Sequence, residues 1–178
     1  MRIIECHPED PGHADHRDAV LALINHSIVH TTAIYDYAPR SAARLDEWFA
    51  AKHRDRFPVL GLLNDDDQLV GFGSFGPFRD WPAYKYTVEH SLYLDEAVQG
   101  RGWGRRLLEA LVTRAHQQGR HVMVAGIDAD NAASIRLHER AGFERVGTLP
   151  QVGFKFDRWL DLCFYQLTLD TPRNPVDG

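Results

Sequence analysis

Apolar positions along the chain switch between two periods. They recur at helical spacing from about Asp15 to His30 and again from Ser41 to about Arg54, where Ser41 supplies an N-cap hydroxyl just after Pro39. Ile3–Cys6 reads as a first strand. Phe57–Leu63 and Gln68–Phe75 are apolar runs joined by Asn64-Asp65-Asp66-Asp67, residues that tolerate turn geometry and cap their own amides. Thr87–Leu94 alternates in polarity and is rich in β-branched and aromatic residues, so it predicts a further strand. Leu107, Leu108, Leu111, Val112 and Ala115 then mark a helix that starts near Trp103 and is closed by Gly119. His121–Ile127 is a short apolar strand, Asp130-Asn131 caps a short helix ending at Gly142-Phe143, and Asp161–Leu169 is the last strand. The order is strand, helices, hairpin, strand, helix, strand, helix and closing strands, an α/β (α+β) pattern.

Size and charge narrow the reading. The 178 residues are 44% hydrophobic and contain no internal repeat or low-complexity linker, so one domain over 1–170 is expected, with 171–178 as a frayed, flexible tail. No apolar stretch approaches the ~18 residues a membrane span needs, and Met1-Arg2-Ile3-Ile4-Glu5 lacks the apolar run of a signal peptide. Two cysteines, Cys6 and Cys163, do not make a disulfide framework, and a cytoplasmic location is expected. A net charge of −5 offers nucleic acid no general attraction, although Arg101, Arg105 and Arg106 form a local basic patch. No metal is expected: the three aspartates suit a solvated hairpin tip, and His26 and His30, four apart, lack a third ligand and the glutamate of a zinc-protease helix.

Between the Thr87–Leu94 strand and the following helix lies Gln99-Gly100-Arg101-Gly102-Trp103-Gly104. Three glycines in five positions let backbone N–H groups converge, and the helix starting near Trp103 adds the positive end of its dipole. The segment is neither of two common phosphate loops. No Gly-Lys-Ser/Thr tripeptide is present, and the third glycine of Gly-x-Gly-x-x-Gly falls on Arg105 or Leu107. It reads as an anion cradle of another kind.

Gln99, Gly102 and Gly104 fit a Gln/Arg-x-x-Gly-x-Gly/Ala signature, and Asn131 to Phe143 fits an Asn, a helix and then a Tyr-x-x-x-Gly-Phe pattern, with His138 in the tyrosine's place. With these linked motifs the chain resembles the GNAT N-acetyltransferases. Thr87-Val88-Glu89-His90-Ser91, Arg136-Leu137-His138-Glu139 and Gly153 to Asp161 narrow the resemblance to the phosphinothricin and methionine sulfone or sulfoximine acetyltransferases. It extends from about Asn25 to about Leu169. The resemblance implies a GNAT fold, a mixed central sheet with a splayed strand pair and flanking helices, with acetyl-CoA as cosubstrate and a homodimeric assembly. It places the pyrophosphate at Gln99, Gly100, Arg101, Gly102, Trp103, Gly104 and Arg105. The pantetheine arm is placed beside the backbone of Leu92, Tyr93 and Leu94 and near Asn131 and Ser134.

Amide formation sets the remaining requirements. A primary amine is mostly protonated at neutral pH and must lose a proton before it attacks a thioester. Glu89, mid-strand and a few residues before the loop, is the candidate base; His90 competes, but points to the opposite face by the period of a strand. A backbone N–H of the splayed segment, Leu94 being the candidate, would stabilise the oxyanion. His138 would give the departing thiolate a proton or a hydrogen bond. Neither cysteine lies near the loop, and Ser91 and Ser134 lack an evident triad, so direct transfer is expected. For a small amino-acid substrate, Arg79 offers a cation to the carboxylate and Phe75, Phe78, Trp81 and Tyr84 an aromatic wall; Tyr35 and Tyr37 could close the pocket, and Lys155, Asp157 and Trp159 could border it, also from a partner subunit. Acetylation of a protein amine and a non-catalytic acyl-CoA-binding role are the alternatives.

Overall fold

A computed structural model describes residues 1–8, 10 and 12–177. In chain order the strands are β1 (Arg2–Glu5), β2 (Val59–Leu63), β3 (Leu69–Pro77), β4 (Thr87–Leu94), β5 (Val122–Asp128), β6 (Glu144–Lys155) and β7 (Arg158–Thr168). The helices are α1 (His13–His30), α2 (Ala42–Arg54), α3 (Trp103–Gln117) and α4 (Ala132–Arg140). Hydrogen-bonded neighbours follow the order β1-β2-β3-β4-β5-β7-β6 in a mixed sheet in which the β4–β5 pair is parallel. The elements match the periodicity, with bounds shifted by a few residues. The exception is β6, which the pattern does not delimit.

Internal contacts divide the chain into two compact units, Met1–Ser74 with Leu92–Leu108, and Phe75–Ser91 with the chain from Glu109 on. In the first unit, Val20, Ile24 and Ile28 recur every fourth residue on α1, and Leu45 and Phe49 do so on α2. These stripes are buried in one core with Val59, Leu63, Leu69 and Phe72 of the hairpin. Ser41 caps α2 as expected, its hydroxyl accepting from Arg44 N at 3.3 Å. The hairpin turn is also built as its residues require: Asn64 Oδ1 accepts from Asp66 N and Gln68 N, and Asp67 is left-handed at φ 59°.

The second unit is organised around β5, which pairs with β4 from Thr87↔Val122 to Glu89↔Val124 and with β7 from Val122↔Thr168 to Asp128↔Leu162. Among the described residues the β4–β5 register ends at Glu89↔Val124, although β4 itself continues to Leu94 and β5 to Asp128. That early end is the splayed pair. β6 and β7 form a hairpin around Phe156-Asp157, both with left-handed φ, and two register shifts bend β6. β6 is the edge strand and is exposed along nearly all of its length, so it lacks the in-out alternation that marks a half-buried strand. Beyond β7 the chain is tied back by Thr171 Oγ1 to Arg120 O at 2.5 Å and by Val176 N to Tyr86 Oη at 3.1 Å.

Candidate active site

The cradle and the strand end that precedes it lie in the first unit. Gly100 and Gly102 adopt φ of 71° and 83°, left-handed conformations that an L side chain adopts at a cost of roughly 1–2 kcal/mol. A Cβ at either position would meet nothing within 4 Å, so conformation, and not crowding, selects glycine, and the loop face is open. α3 begins immediately, its ladder opened by Arg106 N donating to Gly102 O at 3.2 Å, so the helix's positive end is directed at that face. Arg101, Arg105 and Arg106 are exposed there, and the Arg106 guanidinium lies 4.7 Å from the Trp103 ring centre. Gln99 donates its side-chain amide to Leu94 O at 3.1 Å, which ties the loop to the end of β4. Opposite that end, a Cβ on Gly71 would collide with Leu94 Cδ2 and come within 3.1 Å of Tyr93 O. A bare glycine on β3 therefore lets the segment Leu92–Leu94 lie where it does.

Glu89 lies in the second unit. Its carboxyl is half-buried, and burial pushes its pKa above the ordinary glutamate value while the charge of Arg79 pulls it back. Room for the carboxylate is provided by Gly126 of β5, where a Cβ would stand 3.3 Å from Glu89 Oε1. Arg79 stacks over Phe78 at 4.1 Å, donates to Phe78 O at 2.7 Å, and Phe78 meets Tyr84 edge-on at 5.7 Å between ring centres. Arg79, Phe78, Tyr84 and Glu89 are thus linked in one neighbourhood. Phe75 is not part of its surface: it is 1% exposed and belongs to the core, so the aromatic wall falls to Phe78 and Tyr84.

The neighbouring side chain faces a different partner. His90 is 7% exposed and His138 of α4 is 4% exposed, and their Nε2 atoms are 3.1 Å apart. The two ring planes are inclined by 22°, and Phe143 packs edge-on against both imidazoles. His138 Nδ1 lies 2.7 Å from Ser134 O, one turn earlier on α4. Both nitrogens of His138 are therefore engaged within the protein. Burial pushes the His90 pKa down to about 3, the charge of a protonated His138 adding to the effect; burial also lowers that of His138, opposed by its bond to the Ser134 carbonyl. α4 itself starts as its residues require, with Asn131 Oδ1 accepting from Ser134 N at 3.0 Å.

Sequence reasoning missed Gly71, Gly126 and the partnership of His90 with His138. An isolated glycine inside an apolar strand is a signal of close approach, and Val124-Ala125-Gly126-Ile127 carries one. Among the described residues no group of three His, Cys, Asp or Glu side chains is arranged to hold a metal ion, and His26 contacts Glu96 at 3.3 Å. Cys6 and Cys163 are free and buried.

A helix terminus opened by two left-handed glycines suits a phosphate-bearing carrier, and a half-buried carboxylate held beside a guanidinium suits removal of a proton from an amine. These are the parts of an enzyme that moves a group from a carrier to an amine. The chain belongs to the Acetyltransferase (GNAT) family, whose sequence model matches residues 24–143, and it is an acetyltransferase. It is 46% identical over 165 residues to an L-methionine sulfoximine/L-methionine sulfone acetyltransferase of Pseudomonas paraeruginosa, covering 93% of this chain and 95% of that one. It is 41% identical over 157 residues to the L-amino acid N-acyltransferase MnaT of Escherichia coli, covering 88% and 91% of the two chains. A crystal structure of a GNAT superfamily phosphinothricin acetyltransferase from Sinorhizobium meliloti in complex with acetyl-CoA superposes with a TM-score of 0.90 at 29% identity, covering 98% of this chain and 91% of that one.

Proposed function

We propose that this enzyme transfers the acetyl group of acetyl-CoA directly to the amine of a small amino-acid-like substrate of the methionine sulfoximine, methionine sulfone or phosphinothricin type. The observation that carries this is the setting of Glu89, a carboxyl whose affinity for a proton is raised by burial and moderated by Arg79, with Gly126 leaving it room. The names of the relatives supply the substrate class.

The cradle of Gln99, Gly100, Arg101, Gly102, Trp103, Gly104 and Arg105 fits the pyrophosphate, because its glycines hold an open face at a helix N-terminus. Leu92, Tyr93 and Leu94 would hold the pantetheine arm through their backbone, with Asn131 and Ser134 on α4 as further contacts. When bound, acetyl-CoA supplies an activated acyl thioester. Glu89 takes the proton from the amine directly or through water, Arg79 holds the substrate's carboxylate, and Phe78 and Tyr84 form the apolar wall. The Leu94 N–H is the candidate donor to the negative charge that develops during attack. His138 would serve the departing thiolate through Nε2, the nitrogen whose partner is a side chain, once it has taken up a proton there.

The chain acts as a single domain over 1–170 and works in the cytoplasm. No helix among the described residues is long and apolar enough to cross a membrane. It assembles as a homodimer, a reading supported by the apolar surface of the β6–β7 hairpin. Val146, Leu149, Val152, Phe154, Phe156 and Trp159 are all exposed on these two strands and the turn that joins them. CoA thiol release in the presence of methionine sulfoximine, methionine sulfone and phosphinothricin, with the product mass checked for an added acetyl group, tests the assignment. Acetylation of any one supports it; acetyl-CoA binding without acetylation of any of the three overturns the substrate class.

A further inference from the structure

The contacts of the buried imidazole pair determine where its protons sit. A carbonyl oxygen can only accept, so the 2.7 Å contact from His138 Nδ1 to Ser134 O requires a proton on Nδ1. A neutral His138 then has a lone pair at Nε2. Among the described residues, the group facing that lone pair is His90 Nε2, 3.1 Å away, and two lone pairs cannot face each other there, so His90 Nε2 carries the proton and donates. His90 Nδ1 is left as a bare acceptor, which agrees with its being buried and without a hydrogen-bond partner among the described residues. Around the pair, β4 presents His90, α4 presents Ser134 and His138, and the segment after α4 presents Phe143. Burial disfavours charge on both rings, and for His90 the charge of a protonated His138 adds to the effect.

We infer that His90 is a positioning residue: by donating from Nε2 it fixes His138 as the neutral Nδ1–H tautomer and orients its ring between two hydrogen bonds. The functional meaning rests on the proposed role of His138 at the leaving group, while the tautomer assignment does not. With Nδ1–H tied to a carbonyl, His138 can present a hydrogen at Nε2 only by gaining a second proton. His90 must then accept at Nε2 and carry its own proton on Nδ1, so the two rings exchange roles as one unit.

The test is ¹⁵N spectroscopy of the whole protein labelled at histidine, with the pair's resonances assigned from His90→Gln and His138→Gln. At neutral pH His138 is expected as the Nδ1–H form and His90 as the Nε2–H form. His90→Phe, which keeps a ring against Phe143 but has no donor, shifts the His138 Nε2 resonance toward an unbonded nitrogen and raises its protonation midpoint; His90→Gln, which keeps a donor, restores both. His138 found as Nε2–H in the wild type overturns the inference, even if His90→Phe fails to fold. So does a His138 signal indifferent to His90→Phe. Failure of the acetyl-transfer reading appears separately, as wild-type protein with these tautomers and no CoA release.

Discussion

Glu89 and His90 are neighbours on β4, yet they occupy opposite settings. Burial favours the neutral form of each, raising the carboxyl and lowering the imidazole. Their partners create the difference. Arg79 favours the ionised carboxylate, so Glu89 is held where it can both accept and release a proton, whereas His138 is a second potential cation that drives His90 further from charge. The alternation of a strand thus sets a carboxyl moderated by a guanidinium on one face and a hydrogen-bonded imidazole pair on the other.

The largest expected effect comes from removing the carboxylate. Glu89→Gln lowers kcat by about 10²- to 10⁴-fold, the usual worth of a general base, while KM for acetyl-CoA stays near wild type; steady-state CoA release measures both. Gly102→Ala leaves both faces of β4 intact and acts at the loop. The left-handed penalty lowers the protein's unfolding free energy by ~1–2 kcal/mol, measured by urea unfolding, with the pH profile of kcat unmoved. Gly126→Ala presses chiefly on Glu89, its other neighbours Leu162 and Phe164 lying at ordinary contact distance. A Cβ 3.3 Å from its carboxylate oxygen displaces the side chain at about 0.5–1.5 kcal/mol, a loss of roughly 2- to 10-fold in kcat, while the histidine resonances of the pair stay in place.

His90 is expected to register in stability more than in rate. Its pKa lies near 3 in the folded protein against 6.5 for an ordinary histidine, so between these values the unfolded chain binds more protons. The stabilisation is therefore present above about pH 6.5 and is lost as pH falls toward 3, with a slope of at most ~1.4 kcal/mol per pH unit for this group. Urea unfolding at a series of pH values should show this slope in the wild type and a flatter one in His90→Gln. An identical slope in the two proteins removes His90 as its source.

Much of this arrangement was legible before any coordinates, because local chemistry specifies it. Ser41 and Asn131 had to cap helices, Asn64 to Asp67 had to turn, and the glycine-rich cradle had to turn too, which it does through left-handed Gly100 and Gly102. The period of a strand also placed Glu89 and His90 on opposite faces. What it could not give was the partner on each face, since contacts across elements depend on packing: α4 brings His138 to His90, and β5 leaves a gap at Gly126 for Glu89. The burial of Phe75 and the extent of β6 were hidden for related reasons. An aromatic residue looks the same in sequence whether it lines a pocket or a core, and an exposed edge strand lacks alternation.

The division of β4 is tested most directly by the acid limb of kcat/KM, measured in the wild type, Arg79→Gln and His90→Gln. The limb should lie above the ordinary glutamate range, move to higher pH when the Arg79 charge is removed, and stay in place in His90→Gln. A limb that ignores Arg79 and follows His90 would contradict the account, placing the catalytic proton transfer on the imidazole face of the strand.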